Sequence, residues 1–245
     1  MAKQRLDSLI VERGLADSRT RAQLLIRAGS VHVAGQRIIK PAHPCVADVE
    51  LLIDPGPPYV SRGGEKLEGA LREFGIDVSG MTAIDVGAST GGFTDCLLQS
   101  GAAKVYSVDV GKGQLSWDLR KDDRVVVMEK VNARRLSPAQ FPDPVQFAVV
   151  DVSFISLTKV IPAVRDVLDP RACLLTLVKP QFEAGRAQVE RGGVVRDPVV
   201  HQEVIEKIRR FGTDDAALEC RGVVPSVLKG PAGNIEFFAY WRKMS

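Results

Sequence analysis

Two rhythms of apolar residues divide the chain. Over residues 4–13, Leu6, Leu9 and Ile10 recur at helical spacing and stop at Gly14, a residue suited to a helix C-cap. Asp17 or Ser18 then caps a second helix, whose stripe is Ala22, Leu25 and Ile26 and whose stop is Gly29. Residues 31–33 and 37–39 flank Ala34 and Gly35, a hairpin signature, and residues 49–53 read as a third short strand. The run Asp54-Pro-Gly-Pro-Pro58 is the candidate linker. These signals predict a small α+β domain over residues 1–55, a linker over 56–62 and a larger domain over 63–245.

From about residue 80 short apolar runs alternate with helical patterns. Strands are expected at 81–86, 104–110, 125–128, 145–150 and 173–178, with helices through Phe93, Leu97 and Leu98, over 160–168 and over 201–211. Such alternation implies a doubly wound, mainly parallel sheet. Two final strands, 217–224 and 235–241, have no helical pattern between them, which implies an antiparallel addition. The fold class read here is α/β, with seven strands in the larger domain.

Composition excludes several classes of protein. Apolar residues make up 45% of the chain and charged ones 26%, as in an ordinary folded protein. The apolar runs are far shorter than the ~20 residues that span a bilayer, and no secretory leader is visible at the N-terminus. The four cysteines are scattered, with no C-x-x-C pair, and the three histidines show no zinc-ligand spacing. A cytoplasmic protein with no metal and no membrane role is expected.

Charge changes the picture. The net +3 is uneven, since residues 1–40 carry eight Lys or Arg against Asp7, Glu12 and Asp17. A basic module on a near-neutral body suggests a polyanionic partner, although a solvated basic face would look the same. Arg5, Arg19, Arg21 and Arg27 are the candidate contacts to such a polyanion, the last three read as lying along one helical side.

The densest chemical signal is Ile84-Asp-Val-Gly-Ala-Ser-Thr-Gly-Gly-Phe-Thr-Asp95, which follows a strand and opens a helix. Glycines let the backbone turn sharply near a ligand, and the helix start offers N–H groups to an anion. Asp109 then ends the second strand, where an acid can accept from a ribose diol. Three readings compete. A dinucleotide site wants G-x-G-x-x-G, which Ala88 and Ser89 do not supply. A G-x-S-x-G nucleophile elbow needs a late histidine, and only His201 lies downstream. An S-adenosyl-L-methionine site accounts for most residues: Asp85, Gly87, Ala88, Ser89, Gly91, Gly92 and Phe93 at the methionine end, Asp109 at the ribose with Val110 beside it as a further cofactor residue, and Asn132 and Ala133 at the base.

Four polar residues fall at element ends on one sheet edge, where open α/β sheets bind ligands. Lys66 precedes the first strand, Asp151 and Lys179 end the fourth and fifth, and Glu236 opens the last. Surface charge or a structural ion pair is the ordinary alternative for each. Ser153-Phe-Ile-Ser156 and Phe182, close behind, read equally as a nucleotide entrance or as packing on the sheet edge.

Residues 4–53 resemble the S4 RNA-binding domain, through Arg5-Leu-Asp-Ser-Leu-Ile10 and the stretch from Ser18 to Gly35. Lys66, Asp151, Lys179 and Glu236 resemble, in order and context, the Lys-Asp-Lys-Glu tetrad of FtsJ-like ribose 2′-O-methyltransferases. Together with Ser61-Arg-Gly-Gly-Glu-Lys66, the chain resembles the TlyA family nearly end to end. That resemblance implies a Rossmann-like class I methyltransferase domain behind an S4 domain. It also implies methylation of cytidine 2′-hydroxyls in 16S or 23S ribosomal RNA, with ribosomal subunits as partners; some members are labelled hemolysins. On it, Lys179 is the central catalytic group, held by Asp151, while Lys66 and Glu236 orient the hydroxyl. A lysine base would need its pKa brought down from ~10.4; Lys66 and burial push that way, and the two carboxylates oppose it.

Overall fold

The computed structural model describes residues 3–54 and 56–244 and divides into two compact units, Met1–Pro58 and Tyr59–Ser245. Pro55, in the proline-rich run 54–58, lies outside the described residues.

The first unit opens with strand β1 (Lys3–Arg5) and helices α1 (Leu6–Glu12) and α2 (Arg19–Ala28). Ser18 caps α2, its hydroxyl accepting the Arg21 N–H at 3.2 Å, and Gly29 closes it in the left-handed region. Strands β2 (Val31–Val33) and β3 (Gln36–Arg37) follow, joined by Ala34 and Gly35, both at positive φ. That is the backbone of a tight hairpin turn whose twist matches its strands. Strand β4 (Pro44–Val46) pairs with β1, and β5 (Leu51–Ile53) pairs with β2. Leu6, Leu9, Ile10, Ala22, Ile26 and Val31 are buried together between helices and sheet. The β1–β4 pair is not expected from the sequence, because three-residue strands leave too little alternation to read.

The second unit begins with α3 (Gly63–Phe74), where the sequence reading placed only a lead-in. Then come β6 (Thr82–Val86), α4 (Gly92–Gln99), β7 (Lys104–Asp109), α5 (Trp117–Lys121), β8 (Val125–Glu129), β9 (Val145–Val150) and α6 (Ile161–Val167). The chain ends with β10 (Leu168–Val178), α7 (Pro180–Glu183), α8 (Pro198–Arg210), β11 (Leu218–Pro225) and β12 (Phe237–Lys243). The seven strands run β11-β12-β10-β9-β6-β7-β8. The strands β6 to β10 pair in parallel, and β12 lies antiparallel between β10 and β11.

Both faces of this sheet are covered, which is why its central strands read as continuous apolar runs. On β9, Phe147 and Val149 join the core that takes in Leu67 and Leu97, while Ala148 and Val150 join the one holding Ile161 and Val204. Phe147 is fully buried, and truncating such a residue to alanine costs about 3–5 kcal/mol. The strand order reverses between β6 and β9, so the crevice beyond their carboxyl ends is the place for a ligand. All four cysteines are free; Cys45 and Cys96 are buried, and Cys173 and Cys220 are partly so.

Candidate active site

The chain leaves β6 through Gly87, at φ +90°, whose N–H donates to the Val108 carbonyl at 2.8 Å. A Cβ there would stand 2.2 Å from the Asp151 carbonyl oxygen, so only glycine lets β9 end this close to the turn. Ser89 donates its N–H to Asp109 Oδ2 at 2.8 Å, and Gly111 donates to Oδ1 at 2.7 Å. Asp109 thus braces the turn with two of its roughly four lone-pair sites and keeps others for a ribose. Gly92 has a different reason to be glycine, since a Cβ would meet Ser61 Oγ at 2.1 Å.

The four charged residues converge as two pairs. Lys66, in the first turn of α3, contacts Glu236 Oε2 at 2.6 Å, both almost fully buried. Lys179, just past β10, lies 2.5 Å from Asp151 Oδ1, an ion pair rather than an aligned hydrogen bond. It also donates to Ser153 Oγ at 2.9 Å. Glu236 immediately precedes β12 instead of opening it.

Three adjoining hollows connect these groups. One of about 440 Å³ is lined by all four residues and by Gly87, Ala88, Ser89, Gly92 and Phe93. A second, about 520 Å³, shares Gly87, Ser89 and Asp151 with it and adds Asp109, Val110, Asn132 and Ala133. A third, about 380 Å³, shares Lys179 and Glu236 with the first and adds Phe154, Gln181 and Phe182. Each is of the size that holds a small molecule or a nucleotide. Ser61, Arg62, Thr90, Gln114, Arg134 and Pro231 also line this groove and were missed. Thr90 and Arg134 adjoin expected residues and Ser61 and Arg62 lie in the run leading to Lys66, but nothing near Gln114 or Pro231 marks them.

Two expected cofactor residues are placed elsewhere. Gly91, at φ +99°, caps α4, and a Cβ on it would strike Leu119 and Leu115, so its constraint is packing under the turn. Asp85 is fully buried and lines none of the three hollows. The Thr94 hydroxyl donates to its Oδ2 at 2.7 Å, while Oδ1 has no partner. Burial pushes this carboxyl up to about 7; the Thr94 bond opposes that, and the charges of Asp151 and Asp109 add to it.

The remaining residues suit S-adenosylmethionine. Asp109 can take a ribose edge, Asn132 Oδ1 caps the short turn that follows it by accepting the Arg134 N–H at 3.1 Å, and the exposed Val110 offers an apolar face to a base. Among the described residues no group of three or more His, Cys, Asp or Glu is placed to hold a metal ion.

In the first unit, Arg5 and Arg19 both bind the buried Asp7, at 2.8 and 3.1 Å, and Gln23 Nε2 donates to it at 2.8 Å. Arg5 foremost holds the Asp7 carboxyl well below the usual range. Arg21 and Arg27 are exposed. The single helical side expected for Arg19, Arg21 and Arg27 does not hold. At about 100° per residue Arg19 and Arg27 share a flank, and Arg21 falls on the other side of the buried Ala22–Ile26 stripe.

Residues 59–243 match the FtsJ-like methyltransferase family, and residues 4–50 match the S4 domain. The 16S/23S rRNA (cytidine-2′-O)-methyltransferase TlyA of Mycobacterium tuberculosis is 46% identical, over 98% of this chain and 90% of its own. Hemolysin A of Brachyspira hyodysenteriae is 42% identical, over 97% of this chain and 99% of its own. The solved structure of a hemolysin-family protein from Streptococcus thermophilus, 44% identical, superposes with a TM-score of 0.75 and covers 100% of this chain and 90% of that one. With a match that runs through the whole second unit from residue 59 to residue 243, the chain belongs to the FtsJ-like methyltransferase family and carries an S4 domain ahead of the methyltransferase unit.

Proposed function

We propose that this chain methylates the 2′-hydroxyl of cytidine in 16S or 23S ribosomal RNA, with S-adenosylmethionine as donor and the S4 domain holding the RNA. One observation carries the reading: two lysine–carboxylate pairs and the glycine turn line a single hollow at the carboxyl edge of the sheet. The printed activity of the M. tuberculosis relative supports the choice of substrate.

When bound, S-adenosylmethionine supplies an electrophilic methyl group. Its methionine end would fall to Gly87, Ala88, Ser89, Gly92 and Phe93, its ribose to Asp109 and its base to Val110, Asn132 and Ala133. A ribose hydroxyl is a weak nucleophile, so the protein must align it. Lys179 has three N–H donors; Asp151 and Ser153 steady the ammonium, and a remaining donor points the 2′-oxygen. Lys66 and Glu236, lining the same hollow, help to orient the hydroxyl. Orientation of this kind is worth up to about 7–11 kcal/mol, against ~10²–10⁴-fold for a general base.

Among the described residues no helix is long and apolar enough to cross a membrane. Labelled methyl transfer to purified small and large ribosomal subunits, followed by nucleotide mapping, tests the reading. Wild type should label a cytidine 2′-oxygen, and Lys179→Ala should bind S-adenosylmethionine normally yet transfer at least about a hundredfold more slowly. Near-normal transfer by Lys179→Ala, or a wild type that does not bind the donor, would sink it.

A further inference from the structure

The loop after β9 and the segment after β10 together carry half of the proposed machinery. Three contacts join them inside the groove: Lys179 to Asp151, Lys179 to Ser153, and Phe154 against Phe182 with ring centroids 5.0 Å apart. None of these can locate the loop unaided. Phe154 is 90% exposed and sits at φ +64°, a left-handed backbone that a non-glycine residue keeps only under outside constraint.

That constraint comes from Glu183, at the end of α7. Its carboxylate is buried beneath the groove and lines none of the three hollows. Oε1 accepts the Leu157 N–H at 2.6 Å, and Oε2 accepts the Ser156 hydroxyl at 2.7 Å, three and two residues beyond Phe154. Lys207 of α8 backs the clamp, reaching the Glu183 carbonyl at 2.7 Å and Oε2 at 3.3 Å. Between Lys179 and Glu183 runs only the single turn of α7, begun by Pro180, so a shift at one end is passed to the other.

A buried carboxylate is a costly way to add stability, since apolar packing of similar volume often does as well. What it adds is direction, through two short charge-assisted bonds that admit one loop register. We infer that Glu183 is a positioning residue for the methyl transfer proposed above: it pins the 153–157 loop to the β10 segment and so sets Lys179 against Asp151 and Ser153. The inference rests on that reading for its catalytic consequence, but the clamp can be measured without it.

Glu183→Ala and Glu183→Gln are compared with wild type in the full chain, with Glu183→Leu added in case the alanine variant does not fold. Glu183→Gln keeps an acceptor for the Leu157 amide. In Glu183→Ala and Glu183→Leu, kcat for methyl transfer to ribosomal RNA should fall by roughly tenfold to a hundredfold, the scale of an ångström of misplacement. Calorimetric affinity for S-adenosylmethionine should not change, and Glu183→Gln should recover most of kcat. Independently of activity, Lys179 should react faster with an amine-acylating reagent, mapped by mass spectrometry, in the alanine and leucine variants but not in Glu183→Gln. Donor affinity falling in step with kcat and melting temperature would reduce Glu183 to a stability role and overturn the inference. So would unchanged Lys179 reactivity. A wild type that labels no RNA would defeat the proposed function alone, leaving the reactivity comparison to decide the clamp.

Discussion

Lys66 and Glu236 stand 170 positions apart in the chain and 2.6 Å apart in the fold. The contact ties α3, which opens the methyltransferase unit, to the residue before β12, its last strand. A charge pair this deeply buried is tolerable only while both partners are present.

Removing one partner should therefore be costly. Glu236→Leu should destabilise the second unit by about 3–5 kcal/mol in urea unfolding, and Lys66→Met/Glu236→Leu should regain most of that. Methyl transfer should be lost in both, so that stability and activity separate in the double variant. A single variant as stable as wild type would mean that water already reaches the pair.

Gly87→Ala should abolish donor binding in calorimetry. The substitution combines a left-handed φ, costing about 1–2 kcal/mol, with a Cβ placed against the Asp151 carbonyl. Gly35→Ala, also at positive φ but with open space around it, should show only the backbone cost.

Asp85 makes stability depend on pH. Its carboxyl is raised to about 7 in the folded state, so between the unfolded value of 3.8 and about 7 the native protein binds more protons than the unfolded one. Stability contributed by the protonated form is present at low pH and declines as pH rises through that window. Each unit of separation corresponds to about 1.4 kcal/mol. Asp85→Asn should flatten the decline when melting of the second unit is followed from pH 4 to pH 8.

The arginines of the S4 domain should divide by partner. Arg21→Ala and Arg27→Ala should each lower the slope of log affinity for RNA against log salt by about 0.7, with the melting temperature unchanged. Arg19→Ala should instead weaken the S4 domain itself, because it withdraws a partner from the buried Asp7. Equal salt slopes for all three variants would contradict this division.

Much of the architecture was legible because it repeats a physical period. The strands that became β6, β7, β8 and β9 are apolar on both faces and could be read directly. The α3 helix is marked in the same way, since Leu67, Ala70, Leu71 and Phe74 follow helical spacing up to Gly75, but its run of charged residues masks that stripe. Asp85 and Gly91 show where motif reading stops. Both belong to the glycine-rich run, yet one is buried beneath the turn and the other is constrained by leucines of a separate segment.

By itself the sequence determined the element types, the glycine turn and the chemical kinds of residue at the strand ends, because these follow from local periodicity and backbone sterics. Which lysine meets which carboxylate, which arginines are tied to Asp7 and how Glu183 grips the Leu157 amide were decided only by the tertiary structure. Those contacts join residues that no local rule connects, and their geometry exists only once the sheet and its helices have packed.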